Sequence, residues 1–311
     1  MNFISIRLTT ISPGLIVPFN VYIKVGNNFF HYLHENDEFD STRLDRLRNK
    51  GVKKFHINSN DEIKYENFLG QQLENIQLNP ETFKTSLALD VSENSADMIL
   101  KDANNEKTYT LAKFSSDILQ KVVANSDTIL RGIVTQSRTG STDLASRIQA
   151  HLVNTVSISI KFADELKSNI NLNALGIAAF YHDSSFTQFS VQDQKLFFKD
   201  LKEMNAQELS IYKAHPEKSV SGLQDKSFAD KEVLELIMTH EEKVSGQGFP
   251  RKLTKLTLSQ EVLSLCAFYD REVTCLGKNP QEVLDAIMIE QVGNYNLDLL
   301  KKFKAFLKKY L

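Results

Sequence analysis

The stretch LGIAAFYHDSSF, residues 175–186, sets an apolar run directly against an imidazole and a carboxylate. Neighbours on a regular helix point about 100° apart. His182 and Asp183 therefore reach one point only where the helix ends, and the Ser-Ser that follows suits such an end. At that place the carboxylate can bridge two cations while the imidazole binds one.

Working outward, the other histidines of the C-terminal half are His151, His215 and His240, so that the four stand at intervals of 31, 33 and 25 residues. A helix of about 12–15 residues, a turn and a return helix use about that many positions. Each step then returns the chain to the same level of a bundle, and a bundle builds metal sites from inward side chains on facing helices. One such histidine alone is more often structural. Four in this order, with a His-Asp dipeptide among them, reverse that balance. Imidazole and carboxylate together suit iron, manganese or zinc, and the lack of thiolate donors argues against an iron–sulfur cluster or structural zinc.

The rest of the chain sets bounds. Its 311 residues allow two domains, and the net charge of −2 gives no basic excess for DNA or RNA. Two cysteines, Cys266 and Cys275, are too few for a disulfide framework. The first residues show no signal-peptide pattern and no apolar run reaches membrane-spanning length, so a cytoplasmic location is expected. Low counts of proline and glycine, 6 and 12, favour long helices over disorder.

Residues 1–108 read as a small α/β domain of unknown, regulatory-type role. VYIKVGNNFFHYL (21–33) alternates around Gly26-Asn27-Asn28, a hairpin; 40–51 is a capped helix, 52–57 a strand and 61–76 a helix. His31, His34 and His56 have no partner at a recognised ligand spacing and read as ordinary histidines. Residues 109–140 read as a connecting helix whose stripe (Leu111, Phe114, Ile118, Leu119, Val122, Ile129) offers a homodimer contact or packs within the chain. RTGSTD (138–143) is a polar break. Beyond it, 141–311 reads as a helical bundle, with helices over 143–168, 173–182, 192–201, 205–216, 230–243, 259–277 and 280–309. The whole is mainly α with a smaller N-terminal α/β part.

Four segments in order now carry a resemblance: HLVNTVSISIKFADEL from His151, AFYHDSSF from 179, LSIYKAHPEKSVSGL from 209 and VLELIMTHEEKVSGQGFPRKL from 233. Over roughly residues 140–300 they resemble the HD-GYP family, a branch of the HD phosphohydrolases. The resemblance implies an HD-type helical bundle and a phosphodiesterase acting on cyclic di-GMP. It also implies two or three divalent transition metals, often iron, that activate water for attack on phosphorus. The implied ligands are His151, His182, Asp183, His215, His240, Glu241 and Asp270, the last in a register ambiguous by a few residues, with Asp183 catalytic. The implied substrate loop is Gly246, Gly248, Phe249, Pro250, Arg251 and Lys252. In the family that loop is linked to docking of diguanylate cyclase domains, so a protein partner at 246–250 is also implied.

Departures qualify this reading. The family's lysine three residues past the His-Asp aspartate is Phe186, which has no proton to give. The second histidine of the His-His pair is Glu241, a carboxylate that still ligates hard cations. Arg147 stands where three-metal members have a glutamate, and its charge argues for two metals. Ser245 and Phe249 replace an acid and the loop tyrosine, while Glu242 reads as a solvated or supporting acid. Two functions stay open: a cyclic dinucleotide phosphodiesterase, or a metal-holding receptor or scaffold with little turnover.

Overall fold

The computed structural model describes residues 3–8, 11, 14–50, 52, 54–74, 81–125, 127–135 and 143–311. The chain clusters into two compact units, Met1–Asn94 and Ser95–Leu311.

In the first unit β1 (Phe3–Arg7), β2 (Val21–Val25), β3 (Asn28–Leu33) and β4 (Lys54–Asn58) form an antiparallel sheet in the order β1-β4-β2-β3. Gly26, at φ +60°, makes the tight reversal of the expected β2–β3 hairpin, a conformation that costs glycine little. Helix α1 (Ser41–Asn49) starts where the Asp40 carboxylate accepts the backbone N–H of Arg43 at 2.8 Å. Helix α2 (Glu62–Glu74) adds Tyr65 and Phe68, which pack edge-on against Phe19. His31 donates from Nε2 to the Asn20 side chain at 3.0 Å, an ordinary surface contact.

Helix α3 (Glu81–Asp102) runs across the boundary between the units. The stretch expected to connect domains is instead part of the bundle. It forms α4 (Glu106–Asn125) and α5 (Thr128–Thr135), and Leu111, Ile118, Leu119 and Val122 are buried on α4, with Phe114 half-buried. Their stripe faces α6 (Leu144–Glu165) and α7 (Leu172–Tyr181), so it is spent inside this unit and not on a second copy. The Ile129 side chain and residues 136–142, which hold most of the polar break, lie outside the described residues.

Helix α6 is the axis of the bundle. Every residue from Ala150 to Ala163 is buried, because α4, α5, α7 and a later helix, Leu258–Asp270, surround it. The close fit of α7 depends on Gly176: a Cβ there meets Ser116 Oγ at 2.0 Å and Ile160 Cδ1 at 3.2 Å. After α7 the expected helix over 192–201 is a short α8 (Val191–Gln194) followed by 3-10 turns, which turn Leu196 and Phe197 inward. Helix α9 (Ala206–Lys213) stops before α10 (His215–Ser221), whose first turn accepts Pro216 because its missing N–H has no partner to lose there. Next come α11 (Lys231–Thr239) and α12 (Leu258–Asp270), the latter continued by a π turn, Arg271–Cys275. The helix expected over 280–309 is two, α13 (Pro280–Glu290) and α14 (Leu297–Leu307). Gly293 turns the chain at φ +86°, and the Asn296 side chain accepts from Asp298 and Leu299 to start α14.

The α11–α12 loop folds round a carboxylate. Glu242 is fully buried, and its oxygens accept backbone N–H groups of Arg251 (2.5 Å), Lys252 (3.1 Å) and Leu253 (2.9 Å). It is therefore the loop's internal anchor and not a solvated acid. A Cβ on Gly248 meets Glu242 Cα and Lys243 N at 2.5 Å, so only glycine passes under that anchor. Because a buried donor left unpaired costs about 1–3 kcal/mol, Glu242→Ala is expected to lower stability by about 3 kcal/mol or more, and Glu242→Gln by less. Denaturant unfolding measures this, and a loss under about 1 kcal/mol for the alanine variant contradicts the anchor.

Candidate metal centre

Four helix segments deliver the predicted histidines to one interior point. His151 comes from the middle of α6. His182 ends α7, and Asp183 leaves the helix at φ −109°, ψ 20°, so the two consecutive side chains converge as the helix-end reading requires. His215 opens α10 and His240 closes α11. All five side chains are buried.

Three of the imidazoles are aimed by one device. The Nδ1–H of His182, His215 and His240 donates to the carbonyl three residues earlier (Ala179, Tyr212 and Ile237), each at 2.7 Å. His151 uses a carboxylate instead: its Nδ1–H donates to Asp270 Oδ2 at 2.7 Å. With Nδ1 carrying the proton, every Nε2 presents a lone pair inward. Those lone pairs meet in two couples, His151 and His182 at 3.1 Å and His215 and His240 at 2.9 Å. Between the couples stands Asp183. Its Oδ2 is 3.6 Å and 3.7 Å from the first couple, and its Oδ1 is 3.3 Å and 3.6 Å from the second.

Facing lone pairs beside a carboxylate repel one another unless a cation lies among them. The protonation pattern expresses this. Burial pulls His182 down to about 3 and His215 down to about 4. Burial works against a proton on His240 too, but the Asp183 carboxylate outweighs it and holds His240 above its ordinary value. Burial likewise opposes ionisation of Asp183, and the surrounding imidazoles overcome it and keep Asp183 well below the carboxylate range. Asp183 Oδ1 is buried with no hydrogen-bond partner among the described residues. An unpaired buried oxygen and four inward nitrogens fit two divalent ions, one among His151, His182 and Asp183 and one among Asp183, His215 and His240.

Other expected site residues fall elsewhere. Asp270 stands behind His151, and its Oδ1 accepts from Asn154 (2.9 Å) and Thr274 (3.0 Å). It thus supports a ligand and does not join the converging set. Glu241 lines the cavity but reaches His215 Nε2 only at 4.0 Å, and its Oε1 accepts the Tyr212 hydroxyl at 2.9 Å. Burial raises the Glu241 carboxyl, and His215 and His240 overcome that and leave it more acidic than usual. Arg147 turns away to the carbonyls of Thr274 and Cys275, with its guanidinium 4.7 Å from the Phe198 ring centre. Phe186 is buried against Phe197 and Phe198.

The loop expected to meet substrate does not line this cavity, which opens to solvent with a volume of about 210 Å³. Gly246, Gly248, Phe249, Pro250, Arg251 and Lys252 lie outside its wall. Phe249 packs behind His215, at 5.9 Å between ring centres, which leaves Gln247 as the exposed residue of 246–250. Arg251 pairs with Glu235 at 2.8 Å on the surface, and Lys252 is exposed. The cations at the cavity are Lys202, Lys243, Arg271 and Lys278, none of which the sequence reading singled out. Arg271 directly follows Asp270, and Lys278 lies between the π turn and α13. Only the packing of α12 and its π turn against the site reveals both.

The family model described as HD domain matches residues 141–265. The fold is also similar to the solved structure of Bd1817, a HDG"Y"P protein from Bdellovibrio bacteriovorus. The TM-score is 0.70 and the identity 24%, over 99% of this chain and 100% of that one. No curated protein matches the chain.

Purified protein is expected to carry about two transition-metal ions per chain by elemental analysis, and His182→Ala with Asp183→Ala to lose them. Absence of metal from freshly prepared protein contradicts the assignment. Below its raised value His240 takes up a second proton, on Nε2, which metal must displace. Uptake is therefore expected to strengthen by about tenfold per pH unit below the raised value of His240 and to level off above it. Titration of manganese into metal-free protein between about pH 5.5 and 8.5 measures the slope, and an affinity independent of pH counts against the bound proton.

Proposed function

We propose, from the match of residues 141–265 to the HD domain model, that this chain is a metal-dependent phosphodiesterase of HD-GYP type whose substrate is cyclic di-GMP or a related dinucleotide. The observation that carries the proposal is the single carboxylate of Asp183 shared by two couples of inward imidazoles. The residues that would hold two ions are His151, His182, Asp183, His215 and His240, and iron, manganese and zinc all suit these donors. Bound there, a metal pair supplies Lewis acidity, lowering the pKa of water and stabilising charge on phosphoryl oxygens.

The chain's own groups do the remainder. Asp183 presents one oxygen to each imidazole couple and so fixes the spacing of the centre. Its acidity makes it a poor proton acceptor and leaves it a holding group. Glu241, ionised at the cavity wall, is a carboxylate placed to accept a hydrogen bond from a water and orient it. Asp270 locks the tautomer of His151 and aims its Nε2 at the centre. Thiol chemistry has no place here, since burial pushes Cys266 up to about 12.

A second reading, a metal-holding receptor with little turnover, is favoured by one observation. Phe186 sits in an aromatic core, so the position that supplies a lysine in the resembled family supplies no charge or proton. Losing a general acid costs about 10²–10⁴ in rate, which slows turnover without abolishing it. The deciding assay gives the full chain iron or manganese without oxygen, then cyclic di-GMP and its linear dinucleotide. Ring opening is expected, and Asp183→Ala is expected to lower it by about 10³-fold or more. Tight binding with no product over the same interval selects the receptor reading.

A further inference from the structure

The wall of the cavity holds a buried cation that no carboxylate among the described residues pairs directly. Arg271 is only 8% exposed, yet no carboxylate among the described residues comes within ion-pair distance of its guanidinium. Its Nη2 donates to the Lys199 carbonyl at 2.7 Å, and its plane is backed by Tyr212 at 5.0 Å from the ring centre. Its Nε is buried and unpartnered. The lysines nearby are committed or peripheral. Lys278 pairs with Glu272 at 2.5 Å and Asp200 at 3.2 Å, and Lys243 lies 5.9 Å over the Phe268 ring.

A buried guanidinium with unmet donors is costly unless an anion completes it. Its planar fork matches phosphate oxygens, and it stays charged at any working pH. The anchoring carbonyl and the tyrosine ring fix it from two sides, on the same cavity wall as His182, Asp183 and His240. We propose that Arg271 is the phosphate-binding residue of this site, donating to non-bridging oxygens of the phosphoryl group that lies against the metal centre. The inference deepens the phosphodiesterase reading and rests on it for the substrate class. Arg271 gives charge and position but no proton, so it replaces only the binding half of a lysine's work at the Phe186 position.

The test uses the full chain with its metals counted, in wild type, Arg271→Lys and Arg271→Gln, and inorganic phosphate as the probe in calorimetry. The expected result is unchanged metal content in all three. Phosphate affinity should fall about 10- to 100-fold in the glutamine variant, the range for hydrogen bonds to charged groups, and part of it should return in the lysine variant. Equal phosphate affinity in wild type and Arg271→Gln overturns the proposal. Loss of metal from both variants overturns it as well, because Arg271 then serves the shape of the centre. Phosphate binding through Arg271 in a protein that leaves cyclic di-GMP intact upholds this inference while removing the substrate reading.

Discussion

The arrangement that the rest of the bundle serves is one carboxylate held between two couples of imidazole lone pairs. Asp183 is buried, ionised and short of a hydrogen bond at Oδ1, while four Nε2 atoms crowd within 4 Å of it. Such a cluster is unfavourable as an empty apolar core, since each donor nitrogen and carboxylate oxygen is stripped of water. The surrounding helices fix it, and a cation would complete it. The all-round burial of α6 and the close passage of α7 at Gly176 supply that fixation.

Helix ends make the convergence possible. His182, His215 and His240 each lie where a helix stops or starts, and each turns its Nδ1–H to a carbonyl three residues back. These are carbonyls near helix termini, where backbone acceptors lack intrahelical partners. The bond fixes the tautomer that leaves Nε2 free. His151 sits mid-helix, where the backbone is already paired, and so it takes its orienting acceptor from Asp270 on another helix.

This contrast explains what was legible in the sequence. The His-Asp dipeptide at the end of an apolar run, the histidine intervals and the Gly-Asn hairpin are local patterns, and the structure places each where its pattern implies. Asp270 was expected as a ligand because nothing in its own helix tells a ligand from a ligand's support. That difference depends on which ring nitrogen of His151, 119 positions away, faces it. Glu242 reads in the sequence as a solvated or a supporting acid, and the two are told apart only by the three N–H groups of the loop that folds back over it. The split of 280–309 turns on Gly293 and the Asn296 cap, signals easily overridden by a continuous apolar period.

Charge accounts for the departures from the resembled family as a set. Glu241 in place of an imidazole adds a negative charge beside the centre, and Phe186 in place of a lysine removes a positive one. Left alone, both changes make the cavity more repellent to a phosphodiester. Arg271 acts against both. It lies close enough to Glu241 for the two to stabilise each other's charge, and Tyr212 couples them physically, giving its hydroxyl to Glu241 and its ring face to the guanidinium. The Glu241 carboxylate can therefore stay ionised near metal without turning the wall anionic. A positive fork remains on the cavity wall, backed by Tyr212, while Phe186 packs into an aromatic cluster with Phe197. Substitutions that look like losses when read one at a time form, with Arg271 included, a site whose cation has moved from the end of α7 to the end of α12.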